Sequence, residues 1–267
     1  MMLQSSNPLS RPLLIGEVLD TGFRLFRASL LRSLPLSAAL VIAAQWPTFY
    51  DTLHGSLSEP LLHKGAVWWL VYLIAAGFGA WMAGAILMRQ SMRAADTLRL
   101  RELLLTTLVR VPGAIGVTLV VSALLIAPVL IALTGLLPPI VMILLAVVSL
   151  WLCGRLALAV PIYWCERTSA ATALRSSFAL VRGRFWRLLA IAVVAFAVVL
   201  VFFFMLALLS AVVAPLVGLT DIAVIGALQA VVAVLVGAVA APLATALSII
   251  VLQDFRRRQA DGASVRR

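Results

Sequence analysis

Acidic residues are scarce in this chain, 10 Asp and Glu against 21 Lys and Arg, and five stretches carry no charge of either sign. They cover residues 33–50, 65–88, 111–154, 188–220 and 222–253 and are 18, 24, 44, 33 and 32 residues long. So little polarity excludes a water-soluble domain. With 64% hydrophobic and 12% charged residues and a mean hydropathy of +1.13, there is too little polar surface to cover a buried core. The apolar runs also lack alternating polarity, which excludes a membrane-spanning barrel. Helices remain, since each satisfies its own backbone in hydrocarbon. The expected fold is all-α.

Other absences narrow the function. The two cysteines, Cys153 and Cys165, fall on or beside one helix, too far apart to bond, so no disulfide framework exists and both read as packing residues. No serine elbow, Walker loop, HExxH motif or water-accessible carboxylate pair is present. Neither catalysis nor a cofactor is expected. No Asp or Glu falls inside a predicted span, whereas proton- and sodium-coupled transporters usually need a buried carboxylate. His54 and His63, with Asp51 and Glu59, match no metal-ligand spacing.

A bilayer core takes about 20 apolar residues per helical crossing. The 44-residue stretch, broken by Gly135 and Pro138-Pro139, therefore holds two spans, and the other four hold one each. Six spans result, at about 34–49, 67–87, 114–133, 140–160, 189–213 and 222–250, with 254–267 as a basic tail. Trp46, Tyr50, Trp68, Trp69 and Tyr72 mark the outer ends of the first two, as interfacial aromatics should. The last two outer loops are almost absent, which disfavours a receptor or an external enzyme. Residues 12–31 carry Glu17, Asp20, Arg24 and Arg27 at helical spacing, unlike the uninterrupted core of a signal peptide.

Of the 21 cations, 19 lie on one side of these spans, Lys64 lies on the other and Arg155 falls inside the fourth. That asymmetry predicts a multi-pass protein of the bacterial inner membrane with both termini in the cytoplasm. The net charge of +11 is then expected to serve topology and contact with anionic lipid rather than nucleic acid, because no basic face stands clear of the membrane.

A cytoplasmic amphipathic segment is expected before each pair of spans, lying in the interface. In the first, Ile15, Leu19, Phe23, Phe26 and Leu30 share a face opposite Glu17, Asp20, Arg24 and Arg27. In the third, Leu174, Phe178, Val181 and Phe185 form the apolar face, with Thr168 or Ser169 as N-cap and Gly183 as stop. The middle one, around 100–110, is less regular. Phe23, Leu25, Arg27, Arg32 and Leu34 align without gaps with Phe178, Leu180, Arg182, Arg187 and Leu189, suggesting three parallel units. Small residues on span two (Ala76, Ala80, Gly84) and span six (Gly226, Ala230, Ala233, Gly237, Ala244, Ser248) should let helices approach closely, within the bundle or in a homo-oligomer. A Gln45–Gln229 bond is also expected.

Arg155 lies 15 residues past Ile140. At 1.5 Å per residue that is about 22 Å deep, leaving roughly 8 Å of a ~30 Å core for its side chain to cross. Snorkelling toward Glu17 or Asp20 is one reading and an anionic lipid or substrate site the other. Glu17, Asp20, Arg24, Arg27, Arg155, Glu166, Arg175, Arg182 and Arg187 are thus the candidate lipid or partner contacts.

The stretch Arg11-Pro-Leu-Leu-Ile-Gly-Glu17-Val-Leu-Asp20-Thr-Gly-Phe23-Arg-Leu-Phe-Arg27 resembles the opening of the bacterial glycerophosphoryl diester phosphodiesterase membrane-domain family. A second block, Arg155 through Pro161 and Glu166, then Ala173-Leu-Arg-Ser-Ser177-Phe-Ala-Leu-Val-Arg-Gly183-Arg-Phe-Trp186-Arg, is similar to that family's later signature. The resemblance implies a membrane domain that in some members precedes a cytoplasmic phosphodiesterase. Here thirteen residues follow Asp254 and the His-Arg-Gly catalytic opening is missing, so the hydrolase activity is not expected to carry over. The expectation is a non-catalytic membrane scaffold or partner- and lipid-binding domain. Its alternative is a passive or lipid-directed transporter using the bundle interior near Arg155.

The predicted topology is tested by labelling. With Cys153 and Cys165 replaced by alanine, Ser56→Cys should react with an impermeant maleimide in intact spheroplasts and Ala263→Cys only after lysis. Labelling of both from the same side would overturn it.

Overall fold

Where water is absent, backbone amides must find partners within their own segment, and each apolar stretch here does so as a helix. A computed structural model describes residues 13–54, 59, 63–92, 99–133, 138–216 and 222–264. Among these residues the secondary structure is entirely helical: α1 (Ile15–Ala44), α2 (Trp46–His54), α3 (Ala66–Ser91), α4 (Leu100–Leu108), α5 (Val111–Leu133), α6 (Pro139–Leu156), α7 (Ala159–Cys165), α8 (Ala170–Val181), α9 (Phe185–Leu216) and α10 (Ile222–Ser264). Among the described residues six helical segments are long and apolar enough to cross a membrane, and each overlaps one of the six expected spans. The Gln45–Gln229 bond, Gly226 and Ala230 as packing residues, and the Gly135 turn lie outside the described residues and side chains.

Three boundaries differ from expectation. The first amphipathic segment is not a separate helix, because α1 runs unbroken from Ile15 through Pro35 to Ala44. The aligned third segment does break, and one residue accounts for the difference. Gly183 sits at φ +79°, left-handed backbone that L-residues avoid, between α8 and α9, where the first segment has Ala28. The two aligned segments therefore fold differently. The tail is the second difference: α10 continues to Ser264, and its residues Asp254 and Phe255 are 1% and 0% exposed, so the start of the expected tail is packed helix. At 1.5 Å per residue its 43 residues span about 65 Å, twice a ~30 Å core.

The fourth span is two helices. Pro161 lacks the N–H that would bond the Ala157 carbonyl, and the chain turns at Ala157-Leu158 before α7. The short α7 carries Trp164, 1% exposed, onto α3 at Gly84. A Cβ on Gly84 would fall 2.3 Å from the indole, so the small residue there is required. Gly237 likewise admits Val41, putting the small face of α10 against α1 within the bundle. Arg167, at φ 53°, turns the chain from α7 to α8, whose N-cap is Ser169 accepting from Thr172 N.

Of the expected apolar face of α8, Val181 is buried and Leu174 packs partly buried against the core. The fully buried positions are Ala173, Ser177, Leu180 and Val181, while Phe178 is 38% exposed. Small residues win the inner face because Ser177 Oγ donates to the Arg155 carbonyl at 2.8 Å, close to the end of α6.

The most extensive packing joins α1 to α10, with α3 alongside. Pro242 inside α10 has no N–H, which leaves the Ala238 carbonyl without its helical donor. Ser37 Oγ of α1, fully buried, donates to that carbonyl at 2.6 Å. One turn on, Gln90 Nε2 of α3 donates to the Pro242 carbonyl at 3.0 Å and to Ser29 Oγ of α1 at 3.1 Å. Three helices thus meet where one helix lacks a hydrogen bond.

Ser37→Ala should cost on the order of 1 kcal/mol, read as a lower melting temperature in detergent. In a Pro242→Ala background, where the helical donor returns, the same change should be close to neutral. Equal losses in both backgrounds would rule out this pairing.

Candidate functional site

The arginine-rich end of the bundle is closed by one buried carboxylate. Asp254 of α10 accepts from Leu13 N at 3.1 Å through Oδ1. Its Oδ2 lies 3.0 Å from Arg258 Nε and 3.3 Å from Arg187 Nη2 of α9. Both arginines also donate to the Leu13 carbonyl, Arg258 at 2.7 Å. Both backbone groups of the residue entering α1 are thereby satisfied by α9 and α10. Arg184 Nη1 adds a bond to the Phe255 carbonyl at 3.1 Å. Burial, and then the neighbouring Arg258, pull the Arg184 guanidinium below the usual arginine range, which Asp254 partly offsets.

A second tie holds α7. Arg110 Nη2 donates to the Tyr163 and Thr168 carbonyls at 2.9 Å each, its guanidinium 4.7 Å from the Tyr163 ring, and Tyr163 Oη returns a 2.7 Å bond to the Arg110 carbonyl. Glu166 takes both ends of Arg256, at 2.8 and 2.6 Å. At the opposite end of the first two spans, Asp51 and Lys64 form a buried 2.7 Å pair. No cluster of three or more His, Cys, Asp or Glu that could hold a metal occurs among the described residues. Both cysteines are free.

The nine candidate contacts divide accordingly. Glu166 and Arg187 are engaged inside the fold. Glu17 accepts from Leu14 N at 2.8 Å at the start of α1. Asp20, Arg24 and Arg27 are exposed along α1. Arg155 does not reach toward Glu17 or Asp20: its guanidinium lies 4.1 Å from the Trp151 ring and 4.5 Å from the Phe178 ring. Arg175 and Arg182 share with Phe178 a shallow groove of about 590 Å³ along α8. The structure therefore groups Arg155, Arg175 and Arg182 and separates them from the α1 charges.

A second cavity, about 490 Å³, opens between α9 and α10, with Leu158 at one end. Phe196, Val199, Ala240 and Ala244 line it, and Ser248 is the sole polar residue among the described lining.

Sequence reasoning missed Asp254. The signal was there: one acid directly after an apolar stretch, four residues before Arg258, in a basic segment. Nothing local in the sequence marks Leu13 or Arg187 as its partners. No family model, curated protein or solved structure matches the chain, so the likeness to the phosphodiesterase membrane-domain family rests on the two residue blocks alone.

Removing one partner from a buried charged network leaves the others uncompensated. Asp254→Ala should cost about 3 kcal/mol, the low end for such a site because both arginines keep some exposure. Arg187→Ala should cost less, since Arg258 remains. Denaturant unfolding in detergent measures both, and a loss below about 1 kcal/mol for Asp254→Ala would place it with ordinary surface pairs.

Proposed function

We propose that this integral membrane protein is a non-catalytic scaffold of the bacterial inner membrane whose arginine-rich cytoplasmic end binds anionic lipid head groups and, through them or beside them, a protein partner or a second copy. The observation that carries this reading is how the charges are allotted. The carboxylates of Asp51, Glu166 and Asp254 are engaged within the fold, whereas Arg24, Arg27, Arg32, Arg175 and Arg182 are exposed and make no ion pair among the described residues. Each such cation at an anionic surface contributes on the order of 1 kcal/mol.

The alternative, a passive or lipid-directed transporter, draws on the crevice between α9 and α10. Its lining suits an acyl chain better than a polar solute. The reading as a domain like the phosphodiesterase family's membrane domain, without hydrolase activity, is compatible with the scaffold role and is proposed with it.

Purification in mild detergent, with bound lipids and proteins identified together, tests the proposal. Anionic phospholipid should be retained above its share of the membrane, and Arg24→Gln/Arg27→Gln/Arg32→Gln should reduce the excess. Retention in bulk proportion, together with protein-dependent solute flux in reconstituted vesicles, would favour transport and overturn the scaffold.

A further inference from the structure

The Arg155 guanidinium packs against two aromatic rings and has no polar partner among the described residues. Its Cζ lies 4.1 Å from the Trp151 ring centroid and 4.5 Å from that of Phe178, the two rings meeting edge to face at 88°. A planar guanidinium held this way still presents in-plane N–H donors in the fork geometry that fits phosphate oxygens. Its Nε is buried without a partner, and no hydrogen bond or ion pair to its side chain occurs among the described residues.

Phe178 is also the centre of the α8 groove. Arg175 lies three residues before it and Arg182 four after, spacings that share one stripe of a helix. Arg175 and Arg182 thus flank Phe178 along the α8 groove, and Arg155 of α6 packs against the same residue. Helix α8 contributes no carboxylate, since Ala170–Val181 contains neither Asp nor Glu. None of the three arginines has an ion-pair partner among the described residues, and an anion in the groove supplies that counter-charge.

The surroundings select a lipid over a soluble ester. Trp151 and Trp186, which are 40% and 78% exposed, are of the residue type that marks a membrane interface, and Phe178, 38% exposed, lies against Trp151. Deeper on α6, Val147 and Leu150, each 60% exposed, continue as an apolar surface. We propose that Arg155, Arg175 and Arg182 clamp the phosphate of one anionic glycerophospholipid at α8, its acyl chains following Val147 and Leu150. This rests on the lipid-binding reading above and gives it a site and a ligand class.

The test uses the full chain in detergent, with native mass spectrometry counting bound molecules and melting temperature reporting the fold. The probes are a short-chain phosphatidylglycerol, the matching phosphatidylcholine and glycerol 3-phosphate. The wild-type chain should bind one phosphatidylglycerol in preference to the other two. Arg155→Lys, which keeps the charge but loses the fork, should weaken that binding roughly tenfold, as expected for one charge-assisted hydrogen bond. Arg175→Gln/Arg182→Gln, at exposed positions, should do the same with an unchanged melting temperature and carries the test if Arg155→Lys unfolds. Arg24→Gln/Arg27→Gln/Arg32→Gln should leave this single site intact.

Wild-type affinity in the Arg175→Gln/Arg182→Gln variant would overturn the clamp while leaving general anionic-lipid binding in place. Equal affinity for glycerol 3-phosphate would reassign the groove to a soluble ester. Equal affinity for phosphatidylcholine would overturn both the clamp and the broader lipid reading.

Discussion

Every polar group of the main chain has to be satisfied where no water reaches, and the arrangement of this bundle follows from how that is done at its irregular points. Regular helix meets the requirement locally. It fails locally at Pro242, where Ser37 steps in from α1, and at the entry to α1, where Leu13 takes its partners from α9 and α10. Both repairs join α1 to α10, the pair with the most extensive packing. The chain's distant ends are thus held together by hydrogen bonds that compensate for interruptions, with close-packed small residues such as Gly237 between them.

Charge follows a related economy. The acids are few, and most of those described are committed to internal ties, whereas exposed arginines outnumber them at one end. Arg187 and Arg258 answer one buried carboxylate, and Arg110 answers two carbonyls. Arg155 answers none and rests against two rings. One residue type therefore serves as clasp, cap and open donor set, depending on what the helices bring to it.

The spans were legible because bilayer thickness imposes a length that hydropathy reports directly, and Ser169 and Gly183 were legible because capping and left-handed backbone have few residue solutions. The continuity of α1 was not, since amphipathic spacing is the same in a separate helix and in the projecting end of a longer one. The residues of α8 that face the bundle were not legible either, because size as well as hydrophobicity selects them: the inner face needs Ala173 and Ser177 to approach α6 and α7. Arg155, Arg175 and Arg182 could be named from the sequence, but their grouping near Phe178 depends on α6 and α8 meeting, which no local pattern encodes. Asp254 was overlooked for a similar reason, its partners lying 67 and 241 residues away.

The α1–α10 clasp also bears on biosynthesis. The first helix leaves the ribosome more than 200 residues before its chief neighbour. Until α10 arrives, the groove of α1 containing Gly22, Ser33 and Ser37 faces lipid or the insertion machinery without a mate. Tertiary closure is therefore a late, long-range event, and the nascent chain passes through most of its synthesis as inserted but unlatched hairpins.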